Sequence, residues 1–169
     1  PCRLVSKDPY SKVGVCGATI DTIQARNFAR MVASGAAAHT DHGMSMLDVF
    51  REYDDYIRKK YNSEPGYITM NMPALLDALN SVGIENPVIC SSINKIGFRM
   101  SGGKAVYEKY LNERTFRPIA MQVLAAGALK PREAIEYLAQ FPKIESVLFG
   151  ASSKSHIQET KELIVKTMN

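Results

Sequence analysis

Two cysteines, Cys2 and Cys16, stand 14 residues apart in Pro-Cys-Arg and Gly-Val-Cys-Gly-Ala. Thiolates bind soft metals and iron–sulfur clusters, and a cluster takes about four of them. On spacing alone, two unrelated thiols is the plainer reading. His39 and His42 are three apart, the separation that puts two side chains on one helix face. Imidazoles titrate near neutral pH and can relay protons; two solvated histidines at a helix end is the rival reading. Near the other end, Phe149-Gly150-Ala151-Ser152-Ser153-Lys154 stands before a helical stretch. Small residues let an anion approach the backbone, the helix start offers free N–H groups and a positive dipole end, and Lys154 adds a point charge. Leu124-Ala125-Ala126-Gly127-Ala128 has the same character. The rival reading makes both stretches tight strand-to-helix turns.

Polar residues at predicted strand ends are further candidates: Asn71, Ser91, Ser92, Asn94, Lys95 and Gln122. Ligands of parallel sheets bind at the carboxy-terminal edge. Lys95 reads as a Schiff-base or phosphate lysine, or as an exposed loop lysine. Residues 94–103 are long for a strand-to-helix loop, which favours a functional loop, and Ser101-Gly102-Gly103 is a second possible anion cradle. The methionines, Met70, Met72 and Met121 among them, read as core filling.

The elements that must position these groups fall into two regions. In residues 1–48 a loop carrying Cys2, Pro9 and Gly14 leads to Cys16, then a long helix spans about 21–42. Ile20, Ile23, Phe28, Met31 and Val32 recur near helical spacing there, alanine is abundant, and Gly43 can end the helix. Residues 49–169 form the second region, entered through a helix over 46–61 with Leu47, Phe50, Ile57 and Tyr61 along one stripe. Strands at 67–72, 87–93, 117–124 and 146–149 then alternate with helices at 73–82, 103–113, 131–141 and 155–168. Apolar runs such as Val88-Ile89-Cys90 suit strands buried on both faces, and strict alternation implies a parallel sheet. Pro73 and Pro131 fit first-turn positions, Gly83 a C′ position, and Ser155-x-x-Gln158 a capping box. The predicted fold is α/β: a cysteine loop plus long helix, then four βα units resembling half of a (β/α)₈ barrel, since a whole barrel needs about 250 residues.

Composition bounds the function. Of 169 residues, 46% are hydrophobic and 22% charged, which fits a core-forming chain and excludes a disordered one. The net charge of +4 is small and interspersed, which argues against nucleic acid. No stretch reaches about 18 apolar residues, so no membrane span is expected. No secretory signal is visible, and three sparse cysteines suggest a reducing, cytoplasmic setting. The chain opens on Pro1 without Met, which points to an excerpt of a longer polypeptide.

Residues 1–44 resemble the amino-terminal segment of the anaerobic nickel–iron–sulfur carbon monoxide dehydrogenases. The motifs are Pro-Cys-Arg, Gly-Val-Cys-Gly-Ala, Asp-Thr-Ile, Ala-Arg-Asn and Gly-Ala-Ala-Ala-His-Thr-Asp-His-Gly. The resemblance implies that Cys2 and Cys16 match the last two ligands of a [4Fe–4S] electron-transfer cluster. It also implies that His39 and His42 match the first two histidines of a proton relay leading from the nickel site. The third relay position here is Ser45. The family's other cluster cysteines lie upstream and its nickel ligands far downstream, and Cys90 matches none of them. The chain alone is therefore not expected to hold an active nickel site. Two copies pooling Cys2 and Cys16 would supply four thiolates, although the family's matching cluster lies within one subunit.

The last 50 or so residues resemble the closing units of aldo/keto-reductase-like barrels, on Gly-Ala-Ser at 150–152 and His-Ile-Gln-Glu-Thr at 156–160. That resemblance implies a site for NADP or another phosphate-bearing ligand at Gly127 and at Gly150, Ala151, Ser152, Ser153 and Lys154. The catalytic set of that family lies in strands this chain lacks. Three functions follow: a carbon monoxide dehydrogenase-type oxidoreductase or fragment; a nicotinamide-dependent reductase or phosphate-binding lyase with a small-molecule substrate; and a silent chain that assembles as a homo-oligomer or with a partner supplying the missing half.

Overall fold

A computed structural model describes residues 2–6 and 47–168. A five-stranded sheet in the order β1-β5-β4-β3-β2 carries five helices. The strands are β1 (Cys2–Ser6), β2 (Gly66–Thr69), β3 (Val88–Ser92), β4 (Arg117–Met121) and β5 (Ser146–Gly150). The helices are α1 (Asp48–Tyr61), α2 (Met72–Ser81), α3 (Lys104–Glu113), α4 (Pro131–Leu138) and α5 (Lys154–Met168). Strands β2 to β5 are mutually parallel, and β1 runs antiparallel along β5. All four predicted βα units are present. Cys2, expected on a loop, instead opens an edge strand.

The alternation of strand side chains explains the layering. Tyr67, Ile89, Ala120, Val147 and Phe149 point to one face and share a single core with Leu76, Leu79, Tyr107, Leu111, Ile135, Leu138 and Ile164 of the helices. Right-handed crossovers between strands added in one direction put every connecting helix on the same face, as they do in a barrel wall. The intervening residues Val88, Cys90 and Ile119 form a separate cluster on the other face, with Met121 and Leu148 against it. No residue of a described helix belongs to that cluster.

Local chemistry sets the element ends. Strand β2 stops at Thr69, not at the expected residue 72. Thr69 Oγ1 accepts the Asn71 N–H at 2.9 Å, and Asn71 Oδ1 caps α2 by accepting the Ala74 N–H at 3.3 Å. Strand β4 stops at Met121, short of the expected 124, because Gln122 takes φ 52° and turns the chain out of the ladder. Gly83 closes α2 at φ 81°: its N–H bonds the Asn80 carbonyl at 3.1 Å and the Ile84 N–H bonds that of Leu79 at 3.0 Å, a Schellman ending. Pro73 and Pro131 occupy first-turn positions as expected. The capping box is displaced. Helix α5 begins at Lys154, and Ser153, not Ser155, is its cap, with Ser153 Oγ accepting the His156 N–H at 3.2 Å.

Candidate functional site

The carboxy-terminal edge of the sheet gathers most of the sequence candidates. Register places Cys2 opposite Gly150, so the first predicted metal ligand sits on the backbone beside the predicted phosphate turn. Neither neighbourhood was visible in the sequence, where the two residues lie at opposite ends. Cys16, His39 and His42 fall outside the described residues.

The Gly150 turn has a clear local explanation. Ser153 serves as helix cap, the Ile157 N–H bonds its carbonyl at 3.2 Å, and the Ser153 and Ser155 hydroxyls lie 3.0 Å apart. Ser152 Oγ approaches His156 Nδ1 at 3.4 Å, an exposed pair. The first N–H groups of α5, at Lys154 and Ser155, have no acceptor within the helix, and Lys154 is exposed. A Cβ added at Gly150 would meet nothing within 4 Å, so packing does not demand glycine there. Gly127 ends a short 3-10 turn, Ala125–Gly127, in which Ala125, Ala126 and Gly127 all take positive φ.

Between these turns the polar strand ends satisfy one another. Ser92 Oγ donates to Gln122 Oε1 at 3.1 Å. Asn94, only 1% exposed, accepts the Phe98 N–H at 2.8 Å and donates to the Phe98 carbonyl at 2.9 Å and that of Gln122 at 3.4 Å. The long loop after β3 is thus pinned from inside, and the Ser101 N–H anchors it to the Met70 carbonyl at 3.0 Å. Its length is accounted for by structure. We expect Asn94→Ala to cost about 1–2 kcal/mol by taking the partner from the part-buried Phe98 N–H and carbonyl, read as a lower urea midpoint with faster amide exchange at Phe98.

Lys95 is an exposed loop lysine, paired with Glu133 at 2.6 Å. Ser91 faces the helix-covered side, fully buried near the Tyr107 hydroxyl but outside hydrogen-bond geometry. Cys90 is buried in mid-sheet, and burial pushes its thiol up to about 12, so it stays protonated and unsuited to bind a metal at neutral pH. Among the described residues no group of three or more His, Cys, Asp or Glu side chains is placed to hold a metal ion. The described residues therefore do not fit a nickel centre. The soft donors that suit an iron–sulfur cluster are Cys2 and Cys16, two of about four needed.

Sequence reasoning passed over two groups. Tyr107 Oη accepts the Met72 N–H at 3.0 Å and donates to the Met70 carbonyl at 2.8 Å, tying α3 to the end of β2. Its signal was a tyrosine on the buried stripe with Leu111, whose hydroxyl must find a partner. At the opposite edge, Arg117 pairs with Glu64 at 2.5 Å and Glu145 at 3.1 Å. That is the amino-terminal side, where polar clusters serve stability.

The sequence matches the Prismane/CO dehydrogenase family over residues 1–167. The chain belongs to that family. It is 45% identical over 58 residues to carbon monoxide dehydrogenase 1 of Methanosarcina acetivorans, covering 32% of this chain and 9% of that protein. It is 54% identical over 46 residues to the carbon monoxide dehydrogenase of Rhodospirillum rubrum, 25% of this chain and 7% of that protein. It is 34% identical over 85 residues to the carbon monoxide dehydrogenase/acetyl-CoA synthase subunit beta of Moorella thermoacetica, 50% of this chain and 12% of that protein. The chain thus spans only about a tenth of the length of these relatives. No solved structure matches. These matches carry the carbon monoxide dehydrogenase resemblance; they lend no support to the aldo/keto-reductase likeness or to NADP. Among the described residues no helix is long and apolar enough to cross a membrane.

Proposed function

We propose that the chain is a part of a carbon monoxide dehydrogenase-type oxidoreductase. Its amino-terminal segment, residues 1–48, supplies cluster thiolates and relay histidines, and residues 49–169 form the βα unit that carries it. The observation that supports this reading is the family match over residues 1–167. The overall reaction is CO plus water giving CO₂, two protons and two electrons. A [4Fe–4S] cluster supplies one-electron transfer when bound, and nickel supplies the site of CO oxidation. The chain's own groups have narrower roles. Cys2 and Cys16 bind as thiolates, and His39 and His42 accept and pass protons near neutral pH. Cys90 takes no part, because its buried thiol remains neutral. Two more thiolates must therefore come from another stretch of polypeptide or a second copy, and the nickel ligands from elsewhere, so activity belongs to an assembly.

The test is metal content and visible spectrum of protein purified without oxygen. About four irons per one or two chains, with broad absorbance that bleaches on reduction, is the expected result. Cys16→Ser should remove the absorbance and most of the iron, whereas Cys90→Val should keep both. Iron retained by Cys16→Ser refutes the reading, and none bound by the parent chain refutes the pooling of thiolates by two copies.

A second reading rests on the open space at Gly150 and the free first-turn N–H groups of α5. Gly150, Ala151, Ser152, Ser153 and Lys154, with Gly127, would receive a phosphate group. Titration with inorganic phosphate and with NADP decides it: saturable binding lost in Gly150→Asp sustains it, and no heat signal ends it.

A further inference from the structure

Helix α1 turns Phe50 and Ile57 into the core, 7% and 5% exposed, and its other side to solvent. That outward side is not uniformly polar. Of the seven large apolar side chains exposed among the described residues, three stand on α1: Val49, Tyr56 and Tyr61, at 43%, 49% and 48%. The two tyrosine rings meet edge-on with centroids 5.9 Å apart. Lys60 Nζ lies over both, 4.8 Å from the Tyr56 centroid and 5.5 Å from that of Tyr61. Exposed tyrosines grouped in this way are what the centres of protein interfaces are enriched in.

Charge on the same side follows a pattern. Residues four apart stand in line along a helix face, so Glu52, Tyr56 and Lys60 form one row, with the tyrosine midway between an acid and a base. Both charged side chains are exposed. Other charges of α1 pair locally, Asp48 with Arg51, Asp54 with Arg58 and Asp55 with Lys59. Among the described residues neither Glu52 nor Lys60 forms an ion pair.

A closed two-fold contact needs a patch that fits itself, in which residue i meets j and j meets i. The row has that property. Two α1 helices laid antiparallel with Tyr56 on the axis bring Glu52 of each copy to Lys60 of the other, because 52 and 60 lie equally far from 56. The acidic first turn of each helix then lies towards the basic last turn of the other, and the two helix dipoles oppose. A parallel arrangement would set acid against acid and base against base.

We propose that α1 is a two-fold docking surface for a second copy of this chain, packed antiparallel through Tyr56 and Tyr61 and paired through Glu52 and Lys60. One 14-residue helix on each side covers less than the about 1,200–2,000 Å² of a standard interface, so the dimer is weak and reversible. Its exposed ion pairs make it sensitive to salt. The contact uses no cysteine and is independent of whether a cluster forms.

Sedimentation of the full chain from micromolar to near-millimolar concentration tests it. The mass should climb from 18.7 kDa towards twice that value, and fall back at high salt. Glu52→Lys and Lys60→Glu each set like charges across both pairs and should raise the dissociation constant about tenfold or more, with an unchanged far-ultraviolet circular dichroism spectrum. Mixing the two variants in equal amounts should restore the dimer, since every pair then joins opposite charges. Carrying both substitutions in one chain should restore it for the same reason. A chain that stays monomeric throughout, a dimer that the single substitutions leave intact, or variants that do not recover on mixing would each overturn the proposal.

Discussion

Raising the pH from 9 to 11 will remove much of the chain's stability. Cys90 titrates at 9.0 when solvated, and burial lifts its thiol to about 12 in the fold. A folded-state pKa above the unfolded one means that the fold holds its proton more tightly. The stabilisation is complete below about pH 9 and is lost as pH climbs towards the folded value. Within that window one group costs about 1.4 kcal/mol per pH unit, so Cys90 alone removes roughly 3 kcal/mol by pH 11. Tyr67, Tyr107 and Tyr137 shift the same way, each chiefly because burial disfavours the phenolate. For Tyr67 and Tyr137 the neighbouring Asp54 and Glu108 add to the rise. The tyrosines begin to contribute above pH 10, where their solvated forms ionise. Against a typical total of 5–15 kcal/mol, the combined loss brings the chain to the edge of unfolding. Urea titrations at pH 8, 9, 10 and 11 measure the slope. Cys90→Val keeps the volume and removes the thiol, so its stability should stay nearly flat between pH 9 and 10. A parental slope in that variant would show that another group is responsible.

Tyr107→Phe should be the most damaging substitution that leaves the packing volume unchanged. The hydroxyl stands between the Met72 N–H and the Met70 carbonyl, at 3.0 and 2.8 Å, with Tyr107 and Met72 fully buried. The Met72 N–H is one of the donors that a helix start leaves without an intrahelical acceptor. Removing one oxygen therefore strands the buried Met72 N–H, whereas the Met70 carbonyl keeps the Ser101 N–H. One buried orphan costs about 1–3 kcal/mol, which sets the expected loss. The change is read as a drop in urea midpoint without a change in slope. Amide exchange should quicken first at the start of α2 and in the loop before α3, since Ser101 hangs from the same Met70 carbonyl. A loss under 1 kcal/mol would mean that the Ser91 hydroxyl or water had taken the vacated place.

The two structural effects share a cause that the sequence conceals. A cysteine in Val-Ile-Cys-Ser-Ser and a tyrosine in a charged helix look unremarkable in one dimension. Their weight comes from strands and helices that are distant in sequence and close over them. The cluster reading behaves in the opposite way, because it rests on a family resemblance in the sequence of residues 1–44, which needs no fold to be recognised.

The order of elements from α1 onward was determined by the sequence alone. Hydrophobic period, first-turn prolines and the C′ glycine are local signals, and they located β2 to β5 and α1 to α5 to within a few residues. The resemblance of residues 1–44 also singled out Cys2, Cys16, His39 and His42, whose roles belong to the proposed function. Tertiary structure decided the rest. Strand ends moved because Thr69, Asn71 and Gln122 bond to their own turns, and the cap of α5 moved to Ser153 because only there does a hydroxyl face the His156 N–H. The pairing of β1 with β5 brings residue 2 beside residue 150, a contact no periodicity encodes. The long loop became a pinned segment once Asn94 found Phe98 and Gln122. Polar side chains in a sequence announce that they need partners; which partners they meet depends on the register and packing of the whole sheet.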